Sequence, residues 1–198
     1  RCIFGLDRPD SGRMWLNGKE ISITSPKKAL SQGICYVSED RRREGIIPFR
    51  SLKENICLAD LGQILKGFVV DEGKQEALYE EYQQKFRIKA VSGEQPIERL
   101  SGGNQQKCVL AKWLILDLNV LILNGPTVGV DIGAKFDIYE LVKKLAANGL
   151  SVIIISDDIP EILSNCNRVI VMRRGEIVKE GLTKDMDEAS LAEFAVAD

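Results

Sequence analysis

The chain has 198 residues, of which 44% are hydrophobic and 28% charged, with a formal net charge of −2: the make-up of one globular domain. A slightly acidic chain lacks the basic footprint of general nucleic-acid binders, and none of its apolar runs approaches the roughly 20 residues of a membrane span. It contains no histidine, which excludes a histidine general base and, with no clustered cysteine pair, argues against a zinc site.

In chain order, Asn17-Gly18 between residues 14–16 and 20–23 is a short hairpin signal. Residues 34–37 form an apolar run suited to a buried parallel strand. Arg41, Arg42 and Arg43 follow, a basic run of the kind that is ordinarily a solvated loop. From about 51 to 98 the pattern turns helical, over 52–61 and 71–86, with no convincing strand. Beyond Ser101, apolar Val109, Leu110, Trp113 and Leu114 recur on one helical face. The apolar runs 120–123 and 152–155 read as two more buried strands. Between them, Ile138, Val142, Leu145 and Ala146 make a helical face on 133–148, with Gly149 as its stop. Strand, helix and strand in that order imply a right-handed parallel crossover. Residues 169–172 and 176–179, turned by Arg173-Arg174-Gly175, read as a closing hairpin, and the tail from 186 has a weak helical pattern. Five scattered cysteines, at 2, 35, 57, 108 and 166, read as buried thiols of a reducing compartment. No export signal is expected.

Residues 100–107, Leu-Ser-Gly-Gly-Asn-Gln-Gln-Lys, precede a helix directly. Ser101 is suited to cap it, and Gly102 and Gly103 leave backbone N–H groups open to a ligand, as at anion-binding helix starts. A capped helix after a glycine turn would need only Ser-Gly-Gly. The full octapeptide resembles the signature motif of ATP-binding-cassette (ABC) ATPases, in the wording of sugar importers. The resemblance runs along nearly the whole chain. The stretch from Arg1 to Gly18 resembles the segment just after the family's phosphate loop. Tyr36-Val-Ser-Glu-Asp-Arg-Arg-Arg-Glu-Gly45 resembles the Q-loop region, with Glu39 where many cassettes have Gln. Residues 121–127 fall at the Walker B position, Val128-Gly-Val-Asp131 at the D-loop, and 153–161 where the switch histidine normally follows a strand. Together these motifs are similar to the second of two fused nucleotide-binding halves in ribose-, galactose- and xylose-type importers.

The resemblance implies an α/β fold: a P-loop NTPase-like ABC ATPase core with a parallel sheet, a β edge region and a helical subdomain. It implies one nucleotide-binding domain over 1–198, with the helical subdomain at about 49–100 meeting a membrane partner. Phe49, Leu52, Ile56 and Leu58 are candidates for that docking surface, although helical apolar residues are more often core. In this family the nucleotide lies between one half's phosphate loop and the other half's signature. Ser101, Gly102, Gly103, Asn104 and Gln105 would then face ATP in trans, with Asp131 at the dimer seam.

The chain's own catalytic parts depart from that pattern. Neither Gly18-Lys19 nor Gly73-Lys74 has the upstream glycine and following Ser/Thr of a phosphate loop. The chain is expected to start just beyond that loop, with an uncovered sheet edge that favours association. Asn124 stands at the Walker B aspartate position and is a weak ligand for Mg²⁺, which favours charged oxygens. Gly125 stands at the water-polarising glutamate position, a loss of about 10²–10⁴-fold in rate. Asp157 stands at the switch histidine position. No catalytic or metal residue of the segment's own site is therefore intact. The implied function is the ATP-binding component of a simple-sugar importer, with ATP and Mg²⁺ as cofactors and this half lending its signature to a partner's site. The implied partners are the first nucleotide-binding half, transmembrane permease subunits and, indirectly, an external sugar-binding protein, with no nucleic acid. The implied location is cytoplasmic, peripheral on the inner face of the membrane. The alternative is a stand-alone pseudo-ATPase or interaction module that does not hydrolyse ATP.

Overall fold

The computed structural model describes residues 1–196. The chain divides into two compact units, Arg1–Ile153 and Ile154–Asp198.

The first unit opens with a short 3₁₀ turn, Cys2–Phe4, and a hairpin of β1 (Met14–Leu16) and β2 (Lys19–Ile21). Asn17 (φ 51) and Gly18 (φ 74) close it, both left-handed as a two-residue turn of the primed kind requires. Helix α1 (Pro26–Ser31) starts at Ser25, whose hydroxyl accepts from the Lys28 N–H, with Pro26 in the first turn where its missing donor costs nothing. Strand β3 (Ile34–Val37) leads into a π turn, Arg41–Gly45, and then helix α2 (Leu52–Cys57). A capping box starts α2: Ser51 Oγ accepts from the Glu54 N–H, and Glu54 accepts from the Ser51 N–H. The helix expected over 52–61 stops early, because Asp60 and Gly62 favour turn conformations and a 3₁₀ turn, Leu61–Gln63, forms instead. A two-residue-per-strand hairpin follows, β4 (Leu65–Lys66) and β5 (Val69–Val70). Strands this short carry no readable periodicity. Helix α3 (Glu72–Phe86), capped by Asp71, and helix α4 (Gly102–Leu114) complete the helical part.

Strand β6 (Val120–Asn124) returns to pair in parallel with β3, from Ile34 opposite Val120 to Val37 opposite Leu123. Ile34, Cys35, Val37, Leu121, Ile122 and Leu123 are all buried, as expected of strands covered on both faces. Helix α5 (Ile132–Ala147) then connects to β7 (Ser151–Ile155), and the sheet order is β3-β6-β7. The run 152–155 reads as a buried strand, yet Ile153 is 40% and Ile155 47% exposed. Alternate residues of a strand share one face, so one face of β7 carries both exposed side chains. Helix α4 packs against α2, α3 and α5. Leu52, Ile56, Ile97, Val109, Leu110 and Ile138 are fully buried. Leu52 and Ile56 are thus core residues, whereas Phe49 and Leu58 are exposed.

The second unit carries helix α6 (Ile159–Asn165), strands β8 (Arg168–Arg173) and β9 (Glu176–Leu182), and helix α7 (Glu188–Val196). Asp158 caps α6 by accepting from the Glu161 N–H. Strands β8 and β9 form the expected antiparallel hairpin, with a register shift between Val171 and Met172. Cys35, Cys57 and Cys108 are buried as read from the sequence; Cys166 is half-buried and Cys2 is exposed. No helix among the described residues is long and apolar enough to cross a membrane.

Candidate functional site

Three segments distant in sequence converge at the start of α4. Ser101 takes the N-cap position, but its hydroxyl does not cap the helix backbone. It accepts instead from Asn104 Nδ2 at 3.0 Å, and Asn104 Oδ1 accepts from the Lys89 N–H at 2.9 Å. Asn104 is thereby tied to the segment after α3. The first N–H groups of α4 have no partner within the helix. Ser101 is exposed, Gly102 half-buried and Gly103 buried. The two glycines serve packing as well as approach. A Cβ on Gly102 would lie 2.6 Å from the Gly129 carbonyl oxygen, and one on Gly103 would collide with the Ala134 side chain at the start of α5. Asp131 starts α5 by accepting from the Ala134 N–H at 2.9 Å, and it is exposed at the same corner.

Arg41 joins these parts. Its Nη1 donates to the Val128 carbonyl (2.6 Å), its Nη2 to the Gly129 carbonyl (3.1 Å) and its Nε to Gln105 Oε1 (3.5 Å). Burial lowers its pKa from the usual guanidinium value, yet the group stays charged at any ordinary pH. The run of three arginines was legible as a run; that the first turns inward while Arg42 and Arg43 stay exposed was not. Gln105 is also turned inward: it is 4% exposed, and its Nε2 donates to the carbonyls of Ile97, Glu98 and Leu100. Its side chain braces the loop ahead of α4 rather than facing the exposed turn.

At the end of β6, Asn124 Nδ2 donates to the Tyr36 hydroxyl at 3.4 Å. Gly125 has φ 57, and a Cβ there would lie 2.9 Å from Glu39 Cγ and 3.0 Å from Val128 Cγ2. The exposed Glu39 side chain therefore stands beside the space a residue-125 side chain would enter. These residues do not fit a Mg²⁺ site. Asn124 offers a neutral amide, and no group of three His, Cys, Asp or Glu among the described residues could hold a metal. The first N–H groups of α4 lack helical partners and the helix dipole favours negative charge there, which is the chemistry of an anion-binding helix start. In the second unit, Asp157 is exposed just ahead of the cap of α6.

Among the described residues two lysines are buried, neither foreseen from the sequence: Lys107, 6% exposed, pairs with Asp137 at 2.7 Å. Lys112, 6% exposed, donates from Nζ to the Gly45 carbonyl at the end of the π turn. Burial pushes its pKa down to about 8, and burial pushes the Cys35 thiol up to about 12. A lysine at a core-facing helical position carries no sequence signal of its own.

The ABC transporter family profile matches residues 1–128. The chain is 46% identical over 180 residues to a putative ribose/galactose/methyl galactoside import ATP-binding protein of Rhizobium etli, covering 91% of this chain and 34% of that protein. It is 44% identical over 180 residues to an L-arabinose transport ATP-binding protein of Geobacillus stearothermophilus (90% and 35%). It is 38% identical over 198 residues to a ribose import ATP-binding protein of Clostridium tetani (100% and 39%). The chain thus spans little more than a third of the length of these relatives. Its fold is like that of an ATP-binding cassette of an ABC transporter, with TM-score 0.81 at 20% identity over 98% of this chain and 81% of that one. A dimeric post-hydrolysis cassette bound to ADP and Pi matches with TM-score 0.74 at 22% identity, over 92% and 78%.

Proposed function

The chain belongs to the ABC transporter family, and from that premise we propose that it is the second nucleotide-binding half of the ATP-binding component of a simple-sugar importer. The names of its relatives support the sugar class, and their greater length supports another, first half in the same polypeptide. The first half, transmembrane permease subunits and an external sugar-binding protein are its partners, with the ATP-binding component on the cytoplasmic face of the membrane.

One contrast carries the mechanism: the complete 100–107 run beside Asn124 and Gly125. Hydrolysis needs a held metal ion and a positioned water, and this half has neither the Walker B aspartate nor the glutamate that would supply them. It keeps the part that acts on a partner's nucleotide. The exposed Ser101 hydroxyl and the N–H groups of Gly102 and Gly103 meet the terminal phosphate of ATP held by the first half. Mg²⁺, when bound, would belong to that first site and would neutralise phosphate charge there. Asp131 lies at the seam between the halves. Asn104 and Gln105 hold the turn in shape from behind, through the bonds described above.

The test is ATP hydrolysis by the complete polypeptide. Ser101→Arg, which fills the exposed turn, abolishes turnover, whereas Asn124→Ala leaves it within about twofold because the chemistry occurs at the other site. Full activity of Ser101→Arg would sink the reading. Asn124 and Gly125 equally favour a second reading, a non-hydrolysing ABC-type interaction module. The intact mass of the native polypeptide separates the two. A mass well above twice 22.0 kDa supports the fused protein, and a mass near 22.0 kDa supports the module.

A further inference from the structure

The π turn Arg41–Gly45 is held at both ends on one face of α4. Gln105, Val109 and Lys112 lie at spacings of four and three residues and so share that face. Gln105 accepts from Arg41 Nε, a Cβ on Gly45 would lie 3.1 Å from Val109 Cγ2, and Lys112 donates to the Gly45 carbonyl. From this anchored turn the Arg41 guanidinium reaches across the start of α4 to two successive carbonyls, Val128 and Gly129. Its Nη2 would lie 2.7 Å from a Cβ on Gly102, so it sits against the turn itself.

Helix stability does not explain that placement. A cation at a helix N-terminus opposes the helix dipole. All three acceptors of the guanidinium are neutral, and no ion pair to Arg41 is formed among the described residues. The charge has no direct ion-pair partner; Asp40 offsets it only through space, and the guanidinium stays beside the start of α4, where an approaching phosphate would meet it.

We propose that Arg41 is a positioning residue, whose fork ties the 128–129 carbonyls to the start of α4 so that Ser101, Gly102, Gly103 and Asp131 meet partner-held nucleotide as one preset surface. The proposal rests on the reading that this half acts on ATP in trans. The fork matters more than the charge, because the planar guanidinium spreads its donors over Nη1, Nη2 and Nε to reach the two carbonyls and the glutamine, whereas the three donors of a lysine share one nitrogen. Lysine would keep the charge and lose the geometry.

The experiment is steady-state ATP hydrolysis by the complete ATP-binding protein carrying this chain, assembled with its permease. Arg41→Ala and Arg41→Lys both lower kcat by about 10- to 100-fold, the order of effect of a misplacement of about 1 Å, while KM for ATP changes by less than about threefold. Ile34→Ala, in the buried cluster with Phe4, Ile23 and Ala29, serves as the stability control and keeps near-normal kcat despite a lowered Tm. The proposal is overturned if Arg41→Lys restores full kcat, if KM rises in step with the loss, or if Ile34→Ala loses kcat as severely at an equal Tm. Ser101→Arg separates the two levels of the argument. If it spares turnover, the trans reading fails and takes this proposal with it. If it abolishes turnover while Arg41→Ala does not reduce it, the role of Arg41 alone is refuted.

Discussion

Replacing Gly125 by alanine probes why this corner of the chain carries no side chain. At φ 57 an L-residue sits in the left-handed region, which costs about 1–2 kcal/mol. The new Cβ would also lie 2.9 Å from Glu39 Cγ and 3.0 Å from Val128 Cγ2. Both are side-chain atoms, and Glu39 is exposed and free to swing, so overpacking adds about 1 kcal/mol, the low end of its usual range. The sum is about 2–3 kcal/mol, or about 4–12 °C in Tm for a chain of this size. Gly18→Ala supplies the backbone reference: its φ is 74, and a Cβ there meets nothing within 4 Å. It should lose only the conformational part, about 1–2 kcal/mol. Urea unfolding of the two variants isolates the packing cost as their difference. Adding Glu39→Ala to Gly125→Ala should recover about 0.5–1 kcal/mol as a coupling energy, because the pair is in direct contact. If Gly125→Ala costs no more than Gly18→Ala, or Glu39→Ala relieves nothing, the packing of Glu39 over Gly125 is refuted. The same geometry means that writing Glu back at 125 strains the fold before any chemistry is restored.

Two further outcomes follow from local geometry. Ser51→Ala removes one arm of the capping box on α2 and should cost about 1 kcal/mol in urea unfolding; an unchanged midpoint would mean that Glu54 alone secures the helix start. The Lys112 pKa, pushed down to about 8 from 10.5, makes the unfolded chain bind more protons between those values, so this group adds stability as pH rises through that window. The Cys35, Cys57 and Cys108 thiols, raised from 9.0 to between about 11 and about 12, act in the opposite direction from about pH 8 upward, where the unfolded chain begins to give up their protons. The lysine adds about 1 kcal/mol of unfolding free energy between pH 8 and 9, which these thiols largely offset, so it is read as the difference between the parent chain and Lys112→Met over that window. Identical pH profiles for the two proteins would refute the lysine contribution.

The sequence by itself determined what acts over a few residues. The Asn17-Gly18 hairpin, the buried runs of β3 and β6, and a helix starting just after Ser101 follow from turn chemistry, side-chain period and spacing, and the structure carries all of them. Where those local signals weaken, the reading did too, at the early stop of α2 and at the two-residue strands β4 and β5. The tertiary structure decided which of several equivalent residues turns inward. It buried Leu52 and Ile56 and left Phe49 out, it set Gly103 against Ala134, and it chose Arg41 from three neighbouring arginines. The bonds of Arg41 reach 64, 87 and 88 residues along the chain. No periodicity spans such distances: they are closed only when β3 and β6 pair and α4 packs beside them, and the guanidinium then finds carbonyls that no local pattern announces.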